Sequence, residues 1–237
     1  MKAVILAGGL GMRLRPFTDV LPKPLLPIGD KAILEHQLSR LSRAGVTEAF
    51  VATNYKSELI EAYLGDGSRY GLRVYISRET TPLGTAGPLR LLQSELGDAP
   101  FLVMNGDILT KLDFKRLYEF GSQNDSDLTV GTKIITTPFR FGNVVVHNDH
   151  IVEVEEKPDF KLEIVAGIYC MKPEVMNFIP AQGPYGMDSL IKSMLAAHAP
   201  VARFQIGDYW LDIGQVEDYN KARDSFDRHF GQNEESQ

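Results

Sequence analysis

Leu6-Ala7-Gly8-Gly9-Leu10-Gly11-Met12-Arg13-Leu14-Arg15-Pro16, followed shortly by Lys23-Pro24-Leu25-Leu26-Pro27, decides how this chain reads. The apolar residues 1–6 before it form a short strand, with Val4-Ile5-Leu6 buried. The strand ends in glycines, whose backbone can approach a phosphate because no Cβ blocks it and whose N–H groups are free to donate. Arg13, Arg15 and Lys23 then supply the positive charge that a polyphosphate needs. The segment predicts a nucleoside triphosphate site built without a P-loop.

Outward from that segment, strands and helices alternate. Ile33, Leu34, Gln37, Leu38 and Leu41 recur at helical spacing, and Gly45 ends that helix. Residues 48–53 read as a strand, 57–64 as a helix, 72–77 as a strand, 86–95 as a helix and 101–105 as a strand. A helix over 113–123 and a strand over 128–135 complete the series. The pattern predicts an α/β fold, with a mixed, mostly parallel sheet flanked by helices. From about residue 138 it changes. Strands over 143–146, 151–155 and 164–171, two of them around Asn148-Asp149, suggest a small antiparallel sub-domain. A helix over 187–198, a strand over 201–206 and a helix over 216–230 follow, and the polar tail 231–237 reads as disordered. The expected organisation is one unit over 1–230, with a nucleotide-binding part to about 137 and a sugar-binding part beyond it.

Composition narrows the partners. A net charge of −6 over 237 residues argues against nucleic acid, so an anionic substrate needs a local basic site. Cys170 is the sole cysteine, which excludes an intrachain disulfide and fits a reducing cytoplasm. No apolar run approaches the roughly 20 residues that cross a bilayer, so no membrane partner is expected. Oligomeric state stays open, a homo-oligomer included.

Gly9-Leu10-Gly11 does not complete a dinucleotide fingerprint: the third glycine position is Leu14, and the next strand ends at Thr53-Asn54 instead of an acidic residue. No Gly-Lys-Ser/Thr is present for a P-loop. On residue type alone, Asp107 reads first as a turn cap and Asp212 as a helix N-terminal residue, ahead of metal binding. Taken together, residues 6–16 and 23–27 resemble the signature of the sugar-1-phosphate nucleotidyltransferases, also called NDP-sugar pyrophosphorylases. The resemblance extends through 79–89 (E-T-T-P-L-G-T-A-G-P-L), Asn105-Gly106-Asp107, Phe141-Gly142, Glu155-Glu156-Lys157-Pro158, Ala166-Gly167-Ile168-Tyr169 and 209–214 (Y-W-L-D-I-G). Within the family it is most similar to the mannose- and heptose-1-phosphate guanylyltransferase branch. Met12 stands where the family usually has a small residue such as Thr, and Val165 where it commonly has Asn.

The resemblance implies a Rossmann-like nucleotidyltransferase fold and transfer of a nucleoside monophosphate from an NTP to a sugar 1-phosphate. It places Leu6, Ala7, Gly8, Gly9, Gly11, Met12, Arg13, Lys23, Glu79, Gly84 and Thr85 on the nucleotide, and Asn105, Gly142, Glu156, Lys157 and Gly167 on the sugar phosphate. Arg13, Lys23, Asp107, Lys157 and Asp212 become the catalytic set, with Mg2+ on Asp107 and Asp212. Magnesium suits two carboxylates because it keeps waters and takes its other ligands from phosphates. Glu79 could accept from guanine N1–H and N2–H, which favours GTP, although it also reads as a loop charge. UTP, CTP or dTTP stay open, as does a non-catalytic nucleotide-sugar binding protein. Arg15 is left between a site contact and a structural ion pair, and Glu156 with Lys157 between a sugar site and a solvated pair. Phe141, Tyr169 and Trp210 are left between sugar stacking and core.

Overall fold

The computed structural model describes residues 1–231; the expectation for the tail falls, from 232 onward, outside the described residues. Strand β1 (Lys2–Leu6), helix α1 (Phe17–Val20), the two-residue strands β2 (Pro27–Ile28) and β3 (Lys31–Ala32) and helix α2 (Ile33–Arg43) open the chain. Next come β4 (Glu48–Thr53), α3 (Ser57–Leu64), β5 (Arg73–Arg78), α4 (Pro88–Leu91), α5 (Gln93–Leu96), β6 (Phe101–Asn105), β7 (Ile108–Thr110) and α6 (Phe114–Gln123). The second half holds β8 (Leu128–Pro138), β9 (Asn143–His147), β10 (His150–Glu155), β11 (Asp159–Met171), α7 (Met187–Ala196), β12 (Val201–Gln205), β13 (Trp210–Asp212) and α8 (Val216–Phe230).

Seven strands form one sheet in the order β12-β8-β11-β6-β1-β4-β5, and every pairing is parallel except the two made by β11. This is the mixed, mostly parallel sheet expected from the alternation. Its central strands are apolar along their length because helices cover both faces. Ala3 and Ile5 of β1 pack with Leu34 and Leu38 of α2, Ile60 of α3 and Leu117 of α6. Val4 points the other way and packs with Leu89 of α4, Leu96 of α5 and Leu190 of α7.

Leu6, the last residue of β1, is level with Ala52 of β4 and Asn105 of β6. The chain runs from β1 to β4 on one side and returns through β6 on the other. A crevice therefore opens at the carboxyl ends of β1 and β6, where open α/β sheets bind ligands.

Three details depart from the sequence reading. The helix expected over 86–95 breaks at Leu92 (φ −107°, ψ 6°), which lets Leu89, Leu92 and Leu96 all stay buried. The strand expected over 164–171 starts at Asp159, and its inner end runs between β6 and β8 in the main sheet. A register shift between Val165 and Tyr169 bends it there, centred on Gly167 (φ +68°), so one strand serves both the outer lobe and the core. Third, β7 and β13 form an antiparallel ladder that the sequence did not suggest. A separate cluster of Leu14, Leu26, Ile28, Leu109, Ile213 and Tyr219 ties this ladder, the glycine-and-cation segment and α8 together.

Candidate active site

An open cleft of about 450 Å³ lies over the ends of β1 and β6. Leu6 to Arg13, Lys23, Glu79, Gly84, Thr85, Asn105 and Asp107 all line it. The segment after β1 is pinned at its base by the Ala7 N–H to Ala52 O bond at 2.7 Å. A Cβ on Gly8 would fall 2.7 Å from Glu79 Oε1, so this glycine permits the close approach of the Glu79 carboxylate. Gly11 has φ +63°, and Thr18 donates to its carbonyl oxygen at 2.9 Å. That left-handed turn starts the 3-10 turn Met12–Leu14, which leaves Met12 and Arg13 exposed and buries Leu14.

Lys23 begins a second 3-10 turn, between Pro22 and Pro24, and its side chain is 11% exposed. Its Nζ donates to Asp107 Oδ2. Asp107 sits in the turn from β6 to β7, and Asp212 ends β13. Pairing of Ile108 with Asp212, and the Ile213 N–H to Asp107 O bond at 3.0 Å, bring the two aspartates side by side. Asp212 does not itself line the cleft; desolvation raises its carboxyl above its ordinary value, and the like charge of Asp107 adds to this. Lys23 lowers it, Asp218 raises it and Arg13 lowers it, in decreasing strength. Asp107 Oδ1 is buried with no hydrogen-bond partner. Two adjacent carboxylates, one with an orphaned oxygen, suit a hard cation that takes few protein ligands. Among the described residues no group of three or more His, Cys, Asp or Glu could hold a metal ion.

At the far end of the cleft, Glu79 is 9% exposed and its carboxyl is raised by burial, a rise opposed by the Leu83 N–H that its Oε2 accepts at 2.8 Å. Asn54, missed by the sequence reading, lines the same corner and donates to Glu79 O at 3.0 Å. Thr85 has a structural duty as well: its Oγ1 accepts from Met187 N–H at 2.8 Å. A Cβ on Gly84 would stand 2.6 Å from Tyr185 O, so this loop is stitched directly to the segment before α7.

The residues expected at the sugar phosphate are less gathered. Asn105 lines the cleft, and Gly167 leaves the space its side chain fills, since a Cβ there would lie 2.5 Å from Asn105 Nδ2. Gly142, Glu156 and Lys157 belong to the outer lobe and do not line the cleft. Glu156 and Lys157 form an exposed ion pair at 3.6 Å, with Lys157 at φ +49°. Tyr169 is core at 3% exposure, and Trp210 donates to Ala166 O at 2.8 Å; Phe141 is 70% exposed beside Phe139. Arg15 resolves as a surface ion pair with Asp19 at 3.1 Å. Asp218, in the first turn of α8, is close enough to raise Asp212, a role that an acidic residue at an ordinary helix start does not advertise.

Residues 2–228 match the family model for nucleotidyl transferase. The chain belongs to that nucleotidyl transferase family. Among curated relatives, mannose-1-phosphate guanyltransferase of Yarrowia lipolytica is 37% identical over 227 residues, covering 92% of this chain and 62% of that protein. Probable mannose-1-phosphate guanylyltransferase 1 of Oryza sativa subsp. japonica is also 37% identical, over 92% of this chain and 63% of that one. This nucleotidyl transferase chain thus spans less than two thirds of the length of those relatives. A putative glucose-1-phosphate thymidylyltransferase from Bacillus anthracis superposes with a TM-score of 0.78 at 26% identity, covering 94% of both chains. HddC from Yersinia pseudotuberculosis complexed with GMP-PN gives 0.74 at 28% identity, covering 95% of this chain and 99% of that one.

Proposed function

We propose that the chain transfers a nucleoside monophosphate, GMP by preference, from the triphosphate to a sugar 1-phosphate. A phosphate oxygen of the sugar 1-phosphate attacks the α-phosphorus, the α–β bridging bond breaks, and pyrophosphate leaves with the bonding pair. The observation that carries this reading is the convergence of Lys23 and Asp107 in the cleft under the glycine segment, with Asp212 beside Asp107.

The nucleophile is already an anion, so no strong base is required. The obstacle is repulsion: at an effective dielectric of about 20, two unit charges ~4 Å apart cost roughly 4 kcal/mol. Lys23, fixed between two prolines and paired to Asp107, is positioned to neutralise the triphosphate as charge shifts toward the leaving group. Arg13, on the exposed face of its turn, adds charge at the mouth of the cleft. Gly8, Gly9 and Gly11 offer backbone N–H groups to the nucleotide, and no atom lies within 4 Å of a Cβ placed on Gly9. Lys157 of the lobe takes the sugar phosphate, and Glu156 the sugar hydroxyls. The family generally uses a divalent metal, and we assign Mg2+ to Asp107 and Asp212. Bound there, the ion supplies neutralisation and orientation of the phosphate oxygens.

Glu79 and Asn54 form the base corner. With Oε2 turned to Leu83, Oε1 of Glu79 is the oxygen left to accept from guanine. The names of the relatives and the GMP-PN complex of HddC support the same base. UTP, CTP and dTTP are the alternatives, since a thymidylyltransferase shares the fold. Presence of Arg13, Lys23, Asp107, Lys157 and Asp212 together speaks against a binding protein without chemistry.

The test is a matrix of five nucleoside triphosphates against a sugar 1-phosphate panel led by mannose 1-phosphate, read as pyrophosphate release. Release is expected to be greatest with GTP. Preference for another triphosphate overturns the base and leaves the reaction class standing, whereas silence across the matrix overturns the class.

A further inference from the structure

Helix α2 buries one stripe made of Ile33, Leu34, Gln37, Leu38 and Leu41. Four of these are aliphatic at 0% exposure; Gln37, at 3%, is the polar member. An enclosed amide in such a stripe opposes folding unless its hydrogen bonds are made. Gln37 Nε2 makes two, to Asn105 O at 3.0 Å and to Ile108 O at 2.8 Å. Both targets are acceptors only, so the amide nitrogen must face them. Gln37 Oε1 consequently stays buried without a partner. A leucine would fill the stripe and avoid that cost, so what the glutamine contributes is its pair of donors.

Those two carbonyls flank the Gly106-Asp107 turn. Backbone bonds hold the turn elsewhere: Gly106 N–H donates to Leu6 O at 2.8 Å, and Asp107 O accepts from Ile213 at 3.0 Å. Gly106 has no slack, because a Cβ there would lie 2.9 Å from Leu6 O. Gln37 adds a side-chain brace from the opposite side, anchored in a buried helix. Small errors of placement matter at such a turn, because about 1 Å of misplacement can cost roughly 100-fold in rate.

We propose that Gln37 is a positioning residue for Asp107. By fixing the carbonyls of Asn105 and Ile108 it sets where the Asp107 carboxylate stands against the cation and Lys23. This rests on the assignment of Asp107 to a divalent cation made above. Gln37 touches neither cation nor substrate; it acts through the turn, as partners behind a metal ligand do, whose loss typically costs about 10- to 100-fold in metal affinity.

The test titrates Mn2+, followed by electron paramagnetic resonance, into the wild type, Q37M, Q37E and L41A, each with and without GTP. Q37M keeps nearly the same volume and removes both donors; Q37E keeps the shape and, when ionised, removes them too. L41A opens a cavity on the same buried stripe, away from the turn, and controls for lost stability. Mn2+ affinity is expected to fall roughly 10-fold or more in Q37M and in whatever Q37E folds, and to stay within about twofold of wild type in L41A. Wild-type affinity in Q37M overturns the proposal, as does an equal loss in L41A or a wild type that binds no Mn2+. Failure of the nucleotidyl transfer reading shows separately, as absence of pyrophosphate release by wild-type protein.

Discussion

The cleft and the outer lobe are built on opposite principles. Around the cleft, side chains are tied to backbone: Asn54 to Glu79, Glu79 to Leu83 and Thr85 to Met187 on its wall, and Gln37 to Asn105 and Ile108 behind it, with Lys23 tied to Asp107. On the lobe, Val144, Val145, Val146, Ile151, Val152 and Val154 are 45–64% exposed, and Glu156 and Lys157 meet only at an open surface pair. Triphosphate chemistry depends on fixed charges, and the proposed function assigns it to the more constrained region. The same proposal assigns sugar recognition to the exposed lobe, where substitution costs the fold little.

The largest expected effect is removal of the metal. Activity should vanish with excess EDTA and return on adding Mg2+; full turnover in chelator removes the cation from the mechanism. Next is Lys23→Ala, expected to cut turnover by roughly 10²–10³, about 2.7–4 kcal/mol, the scale of one lost electrostatic stabiliser. Near-wild-type turnover in a folded Lys23→Ala protein would take Lys23 out of the chemistry. On the lobe, Lys157→Ala should raise KM for the sugar 1-phosphate by roughly 10- to 100-fold, the worth of one charged hydrogen bond. KM for the triphosphate should hold, and a rise in that constant instead would mean the two regions are not divided as described.

Stability should separate the regions too. Gly84→Ala places a Cβ 2.6 Å from Tyr185 O at φ +80° and should cost about 1–3 kcal/mol. Val145→Thr on the lobe should stay within about 0.5 kcal/mol. Equal losses in thermal unfolding erase the contrast. The smallest effect concerns pH. Asp212 is raised by burial and Asp107 first, with Asp218 adding a lesser share. Cation binding needs the ionised carboxylate, so activity should fall as pH drops toward that raised value. Asp218→Asn removes one like charge and should move this acid limb to lower pH; a move to higher pH contradicts the electrostatics.

Much of the scaffold was legible because its signals are local. Residues 57–64 and 216–230 carry helical spacing and clear stops, and the glycine-and-cation segment marked the cleft. What escaped depends on distant partners. Strands of three residues, such as β7 and β13, have too little pattern to be read alone, yet their ladder is what joins Asp107 to Asp212. The bend at Gly167 carries β11 from lobe to sheet and arises from the register of two neighbours. Asn54, Gln37 and Asp218 are ordinary residue types at ordinary positions, and only the three-dimensional arrangement gives them duties. Thr85 was read as a nucleotide residue through its motif, and part of that motif holds the loop to the start of α7.

The proposed reaction cleaves the triphosphate between its α- and β-phosphates. Parallel reactions with GTP labelled at the α- or the γ-phosphate, in the presence of the sugar 1-phosphate found active, follow each label to its product. The α-label is expected in the nucleotide-sugar and the γ-label in pyrophosphate. Label from the γ-position in orthophosphate or in the sugar, with none from the α-position in a nucleotide-sugar, would contradict it.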